Sequence, residues 1–486
     1  MTRKEIIVML HSLEEKYPIN QWRVDDLYLW PIIKIDIFYK HFHQQNVKDA
    51  EITQVDRKKG FVQQLIETFR SFFYLLTLLL KRPEAGIPVI FSGANNYRVD
   101  FEGEFVNRYF QPMMEYMGET FKEDSLIIEY EREDRTKNYK SRNKLLFLKR
   151  YSYAAWLLQI LQRKKRVMRL NGLEGFIKEV NERAGMNINY NSYISELHGK
   201  LKLLFAYTYI YETIFDKYKP QYVIGLCYYS WPVFAMNYAA YRKGVISVDM
   251  QHGGQGLLHI SYSGFNNVPA EGYQVVPGYF WCWDEASAGI IRKWTDKQTA
   301  HKVLVGGNPW LSYFLAQSKK TYDFPDKKII LYTMQFNELE DFIIKAMQET
   351  PDDYQWWLRL HPRKLDAQPH IEKKLEKAGL LHKVEINNAI NYPLPQILKK
   401  SVVHISRFSG SIIEASQLGI KTIIIDEVGV DSYGEYISSN EAICYLEADG
   451  SKLIALIMGV QKEPHSGENG SMFKYRQVIN GLLKTN

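Results

Sequence analysis

Cysteine is scarce. Cys227, Cys282 and Cys444 are the only three in 486 residues, and they lie far apart. That number and spacing exclude a disulfide framework and a zinc cluster, and they suit a reducing cytoplasm. Long hydrophobic runs are also missing. The most membrane-like stretch, Phe72–Leu80, reaches only about 13 Å as a helix, against a hydrocarbon core of about 30 Å. Gln63, Gln64, Glu67 and Arg70 precede it, so it does not span. The opening MTRKEIIVMLHSLEEKYPIN breaks any apolar core of a signal peptide with charges. No Walker loop, G-x-S-x-G elbow or H-E-x-x-H occurs, which removes three common catalytic devices. Repeats of 20–50 residues and low-complexity tracts are absent as well.

What is present is ample core material. The chain is 46% hydrophobic and 24% charged, enough for two or three domains and too apolar for a disordered chain. Net charge is only +7, yet residues 131–170 hold thirteen Lys or Arg against three acids. Leu145–Leu148, Tyr151, Tyr153, Trp156 and Leu161 interleave with Lys149, Arg150 and Arg163–Arg166 there. Two readings fit: a segment resting on an anionic bilayer, or a core helix with a solvated basic end. No RNA-binding module accompanies the charge, so no nucleic-acid partner is expected.

Residues 1–80 read as helical, with Pro31 kinking the chain or starting a turn. Asp25-Asp26 reads as a helix start, and Glu338 with Glu340-Asp341 as another. Short apolar runs then predict strands at Ile87–Phe91, Leu126–Tyr130, Tyr222–Cys227, Val245–Met250 and Tyr279–Trp283. After His301 they recur at Val303–Val305, Ile329–Tyr332, Trp356–Leu360, Val384–Ile386, Val402–Ile405, Thr422–Ile425 and Ile443–Tyr445. Helical segments separate most of these later runs. Strands that are apolar throughout and alternate with helices predict α/β units with parallel sheets covered on both faces.

Four motifs sit at strand ends. The first is ISRFSGSIIEA (405–415), in which a strand ends, Ser409 and Gly410 turn the chain, and a helix begins. Ser411 can cap that helix, whose start favours an anion, although Ser411 and Glu414 also fit a plain capping box. Its continuation, SGSIIEASQLGIKTIII, resembles the nucleotide-binding half of the GT-B glycosyltransferases, with Lys421 where many members have proline. The resemblance implies that Glu414 binds the donor ribose and that Ser409, Gly410 and Ser411 hold its phosphates.

The second is Arg359-Leu360-His361-Pro362-Arg363, where Pro362 ends the strand. His361 and Arg363 suit a diphosphate, while taken alone the pair reads first as a strand-end histidine bonding a backbone carbonyl. With the first motif, this pair resembles bacterial polysialyltransferases, capsule Kdo transferases and CDP-glycerol glycerophosphotransferases, in which the histidine faces the donor phosphates. The third is Asp249-Met250-Gln251-His252-Gly253-Gly254-Gln255-Gly256. A histidine near pKa 6.5 accepts a proton at neutral pH. The glycerophosphate group carries a histidine-glycine pair assigned as base, which points to His252, with His259 and Asp249 as alternatives. A tight structural connection is the other reading. The fourth is Gly306-Gly307-Asn308-Pro309, which resembles the GT-B crossing between domains and also reads as a plain helix start. Thr333 and Gln335 follow the strand IILY and are placed to touch donor phosphate; Gln251, Gly253, Gly254 and Asn308 would line the acceptor side of a cleft.

The resemblance implies a GT-B α/β fold, with two Rossmann-like domains facing a central cleft and an extra helical N-terminal region. Its expected divisions are a helical region at 1–85, an acceptor-side domain at 86–310 with a helical insertion at 131–215, a donor domain at 311–470, and a tail or returning helix at 471–486. The expected activity is transfer from a nucleotide-sugar donor to a surface-polysaccharide or lipid-linked glycan acceptor. His252 and His361 are catalytic in this reading, and the enzyme works in the cytoplasm or on the inner membrane face. No cofactor is expected. No metal site is expected either, since Asp25-Asp26 and Asp352-Asp353 lack the Asp-x-Asp spacing of metal-dependent transferases. A CDP-polyol phosphotransferase, a nucleotide-sugar 2-epimerase and a noncatalytic assembly factor remain alternatives.

Overall fold

The computed structural model describes residues 1–42, 61–80, 86–161, 166–362, 364–460 and 474–484. The chain divides into two compact units. One comprises Met1–Gln251, His259–Gly306 and Arg476–Asn486; the other comprises His252–Leu258 and Gly307–Tyr475.

The first unit is built on a seven-stranded sheet. Its strands in chain order are β1 (Val89–Gly93), β2 (Ser125–Glu129), β3 (Leu145–Phe147), β4 (Tyr222–Gly225), β5 (Ile246–Met250), β6 (Tyr279–Cys282) and β7 (Lys302–Val305). They lie in the order β3-β2-β1-β4-β5-β6-β7, and every pair is parallel. The second unit holds six: β8 (Lys328–Met334), β9 (Tyr354–Leu360), β10 (Val384–Glu385), β11 (Ser401–Ser406), β12 (Thr422–Ile424) and β13 (Ala442–Cys444). Their order is β10-β9-β8-β11-β12-β13, again all parallel. Both sheets therefore follow the doubly wound order 3-2-1-4-5-6, the first with one strand added. In such sheets the order reverses beside the first strand, and ligands collect outside the carboxyl ends at that reversal. It falls between β1 and β4 in the first unit and between β8 and β11 in the second.

Period-two alternation builds the second unit's two cores. Ile330, Tyr332, Trp356, Leu358, Val403 and Ile405 pack on one face of the sheet, while Ile329, Leu331 and Trp357 pack on the other. The neighbouring tryptophans 356 and 357 thus serve opposite layers. In the first unit, the helices Arg3–Lys16 and Trp30–His41 bury Ile6, Leu10, Trp30 and Ile33 in the same core as β1, β4 and the 29-residue helix Tyr190–Tyr218.

Three local expectations change. Leu145–Phe147 is an edge strand pairing with β2, inside the segment expected to be helical, because its three apolar residues extend a sheet and need no helical period. Asp25-Asp26 is the turn of a small hairpin, with Val24 paired to Leu27 and Asp25 at φ +53°; it starts no helix. Pro31 sits in the first turn of Trp30–His41, where a missing N–H costs nothing, so the helix is not kinked there. Among the described residues no helix is long and apolar enough to cross a membrane.

Candidate functional site

The second unit's reversal point gathers much of what the sequence singles out. Thr333 and Ser406 are direct partners at the ends of β8 and β11. The Thr333 hydroxyl lies 2.9 Å from His404 Nε2, 3.0 Å from Ser406 Oγ and 3.1 Å from Ser411 Oγ. His404 Nδ1 in turn meets Thr422 Oγ1 at 2.9 Å. Thr333, Ser406 and Ser411 are all buried, so the hydroxyls of Thr333 and Ser411 brace the turn instead of reaching outward as phosphate ligands. Gln335 bridges the same strand ends. Its Nε2 donates to Thr333 O at 2.8 Å, and its Oε1 accepts from Arg407 N at 3.1 Å.

The helix Ser411–Gln417 is capped by Gly410, not Ser411. Ser409 Oγ accepts from Ser411 N at 3.2 Å, which replaces the expected capping box. Ser409, Gly410 and the first-turn Glu414 are half-buried. Beside them lies a network that sequence reading misses. Arg407 donates to Glu340 at 2.7 Å and to Asp426 at 2.8 Å, and its guanidinium lies 4.5 Å from the Phe336 ring centre. Tyr332 donates its hydroxyl to the same Glu340. Burial opposes the Arg407 charge, but the hydrogen bond and charge attraction of Glu340, with Tyr332 adding to them, together hold the guanidinium above its ordinary pKa. Glu340 is thus more than a residue at a helix start, and its 67-residue separation from Arg407 left no local signal.

The segment His252–Leu258 belongs to this unit, although it follows β5 of the other. A Cβ on Gly410 would stand 3.0 Å from Gly253 Cα, and one on Gly254 would stand 2.2 Å from the Tyr433 hydroxyl. Gly410 therefore lets its backbone touch that of Gly253, while Gly254 leaves room for the Tyr433 side chain, and the His252 loop lies beside the Ser409–Ser411 turn. His252 itself is half-buried. His361 directly follows β9 and is exposed, with its carbonyl taking Lys364 N; Arg363 lies outside the described residues.

Other expected positions face elsewhere. Gln251 is fully buried, accepting from Trp283 N at 2.6 Å and donating to Ser287 at 2.9 Å, so it ties β5 to β6 and lines no opening. Asn308 caps the helix Pro309–Gln317 by accepting from Leu311 N. Asp249 is buried, and its two oxygens accept from Tyr228 N at 3.0 Å and Tyr262 hydroxyl at 2.7 Å, so both brace the first unit's core. His259 packs between Tyr229 and Tyr262 rings at 4.9 and 4.8 Å. At the first unit's own reversal point, the Tyr97 hydroxyl and Cys227 Sγ stand 2.8 Å apart, and Cys227 adopts φ +57°. Among the described residues no group of three or more His, Cys, Asp or Glu side chains is placed to hold a metal ion.

Two buried imidazoles make stability depend on pH. Desolvation pushes His404 down to about 3 and, against a bond to the Pro277 carbonyl, His301 down to about 4. The unfolded values lie near 6.5, so the unfolded chain binds more protons below that pH. Stability is complete above pH 6.5 and falls as pH drops towards 4 and 3. At pH 5 each histidine costs about 2 kcal/mol. In the first unit burial pushes Glu129 up to about 7, which adds stability over the same fall in pH and offsets His301. Urea unfolding at pH 7.5 and pH 5.0 is therefore expected to show a loss of about 2 kcal/mol in the second unit, from His404; a flat profile for that unit would refute it.

No protein-family model matches the chain, and no curated protein matches its sequence. Solved structures do match. The UDP-GlcNAc 2-epimerase from Neisseria meningitidis, bound to UDP-GlcNAc, aligns at TM-score 0.51 with 14% identity, covering 82% of this chain and 100% of its own. The UDP-GlcNAc 2-epimerase from Methanocaldococcus jannaschii aligns at TM-score 0.51 with 13% identity, over 82% and 100%. At such identities the likeness is one of fold: the chain has the GT-B fold, made of two Rossmann-like units.

Proposed function

We propose that this chain is an enzyme acting on a nucleotide-activated sugar, and that it transfers the sugar to a glycan or lipid-linked acceptor. One observation carries the reading. The His252 loop and the Ser409–Ser411 turn, unrelated in sequence, pack together at the carboxyl end of one doubly wound sheet. In this reading the half-buried Glu414 binds the donor ribose. The turn at Ser409 and Gly410 meets the phosphates through backbone amides, with His361 and Arg363 supplying further charge. His252 takes the proton from an acceptor hydroxyl, whose oxygen forms the bond to the anomeric carbon. The bond to the nucleotide's phosphate oxygen breaks, and the departing phosphate leaves with the negative charge.

A second reading is favoured by the structural neighbours: a 2-epimerase, which would release an isomerised nucleotide sugar and need no acceptor. A thermal-shift screen with UDP, GDP, CMP and CDP tests the shared part. A nucleotide present at about 100 times its Kd is expected to stabilise the fold by about 2.7 kcal/mol. Glu414→Ala should remove most of that gain, and no shift with any of the four would overturn the donor site. Product analysis then divides the readings, since an epimer formed without acceptor would replace the transferase assignment.

A further inference from the structure

The helix Phe61–Leu80 is inside out. A surface helix of a globular protein ordinarily turns its apolar stripe inward and its polar side to water. Here the inward side carries Thr68, Ser71, Leu75 and Leu78, and the Ser71 hydroxyl accepts from Ala154 N at 2.9 Å. The outward side carries Leu65, Phe69, Phe72, Phe73, Leu76 and Leu80, at the three- and four-residue spacing of one helical face. Phe69 is 68% exposed, Phe73 62% and Leu80 74%. The adjoining helix Ser152–Leu161 adds exposed Trp156, Ile160 and Leu161. Scattered exposed leucines need no explanation, but a continuous aromatic and aliphatic face marks a surface meant to be covered.

The rim identifies the cover. Beside this face lies a cavity of about 280 Å³ whose lining includes Arg70, Arg132, Arg135, Lys149 and Arg150. Glu67 and Glu133 are its only carboxylates, and both already take an arginine: Arg132 at 3.6 Å and Arg150 at 3.3 Å. The rim thus keeps a surplus of positive charge. Other basic residues of 131–170 turn to their own chain, which moves the centre of the basic patch. Arg166 pairs with Asp25 and stacks on Phe205, Lys140 bonds Glu115 at 2.7 Å, and Lys144 bonds Asp124 at 2.7 Å. Arg163, Lys164 and Lys165 lie outside the described residues.

We infer that the faces of Phe61–Leu80 and Ser152–Leu161 form a docking surface for an anionic lipid bilayer, lying in its interface without crossing it. A bilayer supplies both complements at once: hydrocarbon for the phenylalanines and phosphate headgroups for the arginines. The exposed Trp156 is a residue type suited to the headgroup level. A second copy of this chain would complement the apolar face but would bring two arginine-rich rims together. The inference stands apart from the donor-site reading, since no residue is shared.

Sedimentation of the full chain with vesicles tests it. Vesicles with about 30% phosphatidylglycerol are expected to bind at least about tenfold more strongly than pure phosphatidylcholine, with the difference shrinking in about 0.5 M salt. Phe69→Ser with Phe73→Ser should weaken binding to the anionic vesicles at least about tenfold. The same pair should leave the nucleotide-free melting temperature in place, because both side chains are exposed. Should that variant fail to fold, Arg70→Gln with Arg135→Gln gives the second reading, a loss confined to the anionic vesicles. Absence of vesicle binding, or binding unchanged in the folded variants, overturns the inference. A dimer that both substitutions break, without vesicle binding, also overturns it and assigns the face to a second copy.

Discussion

Replacing His252 with alanine is expected to slow sugar transfer by about 10²–10⁴-fold while leaving stabilisation by the donor nucleotide nearly unchanged. The two readouts separate chemistry from binding. In the proposed reaction His252 handles only the acceptor proton, whereas the ribose and phosphates are met by Glu414 and the Ser409–Gly410 turn. The loop's placement makes the substitution informative. Gly254 sits against Tyr433 and Gly253 against Gly410, so the backbone course of the loop does not depend on the imidazole. Turnover with the nucleotide sugar whose nucleotide stabilises the protein is the measurement. A decrease below tenfold would return the histidine to a structural role, and a fall in turnover matched by loss of nucleotide stabilisation would show damage to the whole turn.

Glu14→Ala is expected to cost the first unit about 3–5 kcal/mol. Glu14 and Lys34 form an ion pair whose side chains are both fully buried. The Lys34 ammonium also donates to Gly264 O at 2.6 Å, while Glu14 Oε2 accepts from Asn266 N at 2.6 Å. Burial depresses Lys34, with Glu14 opposing that shift, so removing the carboxylate strands a cation that water cannot reach. A buried pair's net worth is small, but a buried half-pair is expensive. The double variant Glu14→Leu with Lys34→Met is therefore expected to recover part of the loss. It falls short of full recovery because Asn266 N and Gly264 O lose their partners. Urea unfolding followed through tryptophan fluorescence measures both, and equal destabilisation in the single and double variants would contradict this account.

How far the fold is legible in the sequence depends on how its information is spread. Every strand of both sheets except Leu145–Phe147 overlaps an apolar run that can be read locally, because a parallel strand is buried on both faces. Leu145–Phe147 is the exception since its flanks, Lys144 and Lys149-Arg150, look like the polar side of a helix. The Asp25-Asp26 hairpin fails for a similar reason: an acidic pair before apolar residues resembles a helix start as much as a turn.

The site is legible only in part. Its turn, glycines and glutamate form one contiguous motif, and His252 stands in another. Their meeting, however, depends on a seven-residue excursion into the second unit that no spacing announces. The Tyr332–Glu340–Arg407–Asp426 network is wholly tertiary. So are the buried roles of Thr333 and Ser411, which look outward in sequence and face His404 in the fold.

The division of the chain bears on the order in which it is made. The first unit is discontinuous, and its final piece is Arg476–Asn486. Within the helix Lys474–Lys484, Asn480 Oδ1 accepts the Tyr116 hydroxyl at 2.7 Å and the Leu482 carbonyl accepts the Tyr222 hydroxyl at 3.1 Å. During synthesis the second unit is made almost entirely before that helix exists. The earlier-translated unit must wait for its bonds from Tyr116 and Tyr222 to this helix until the later unit has been made.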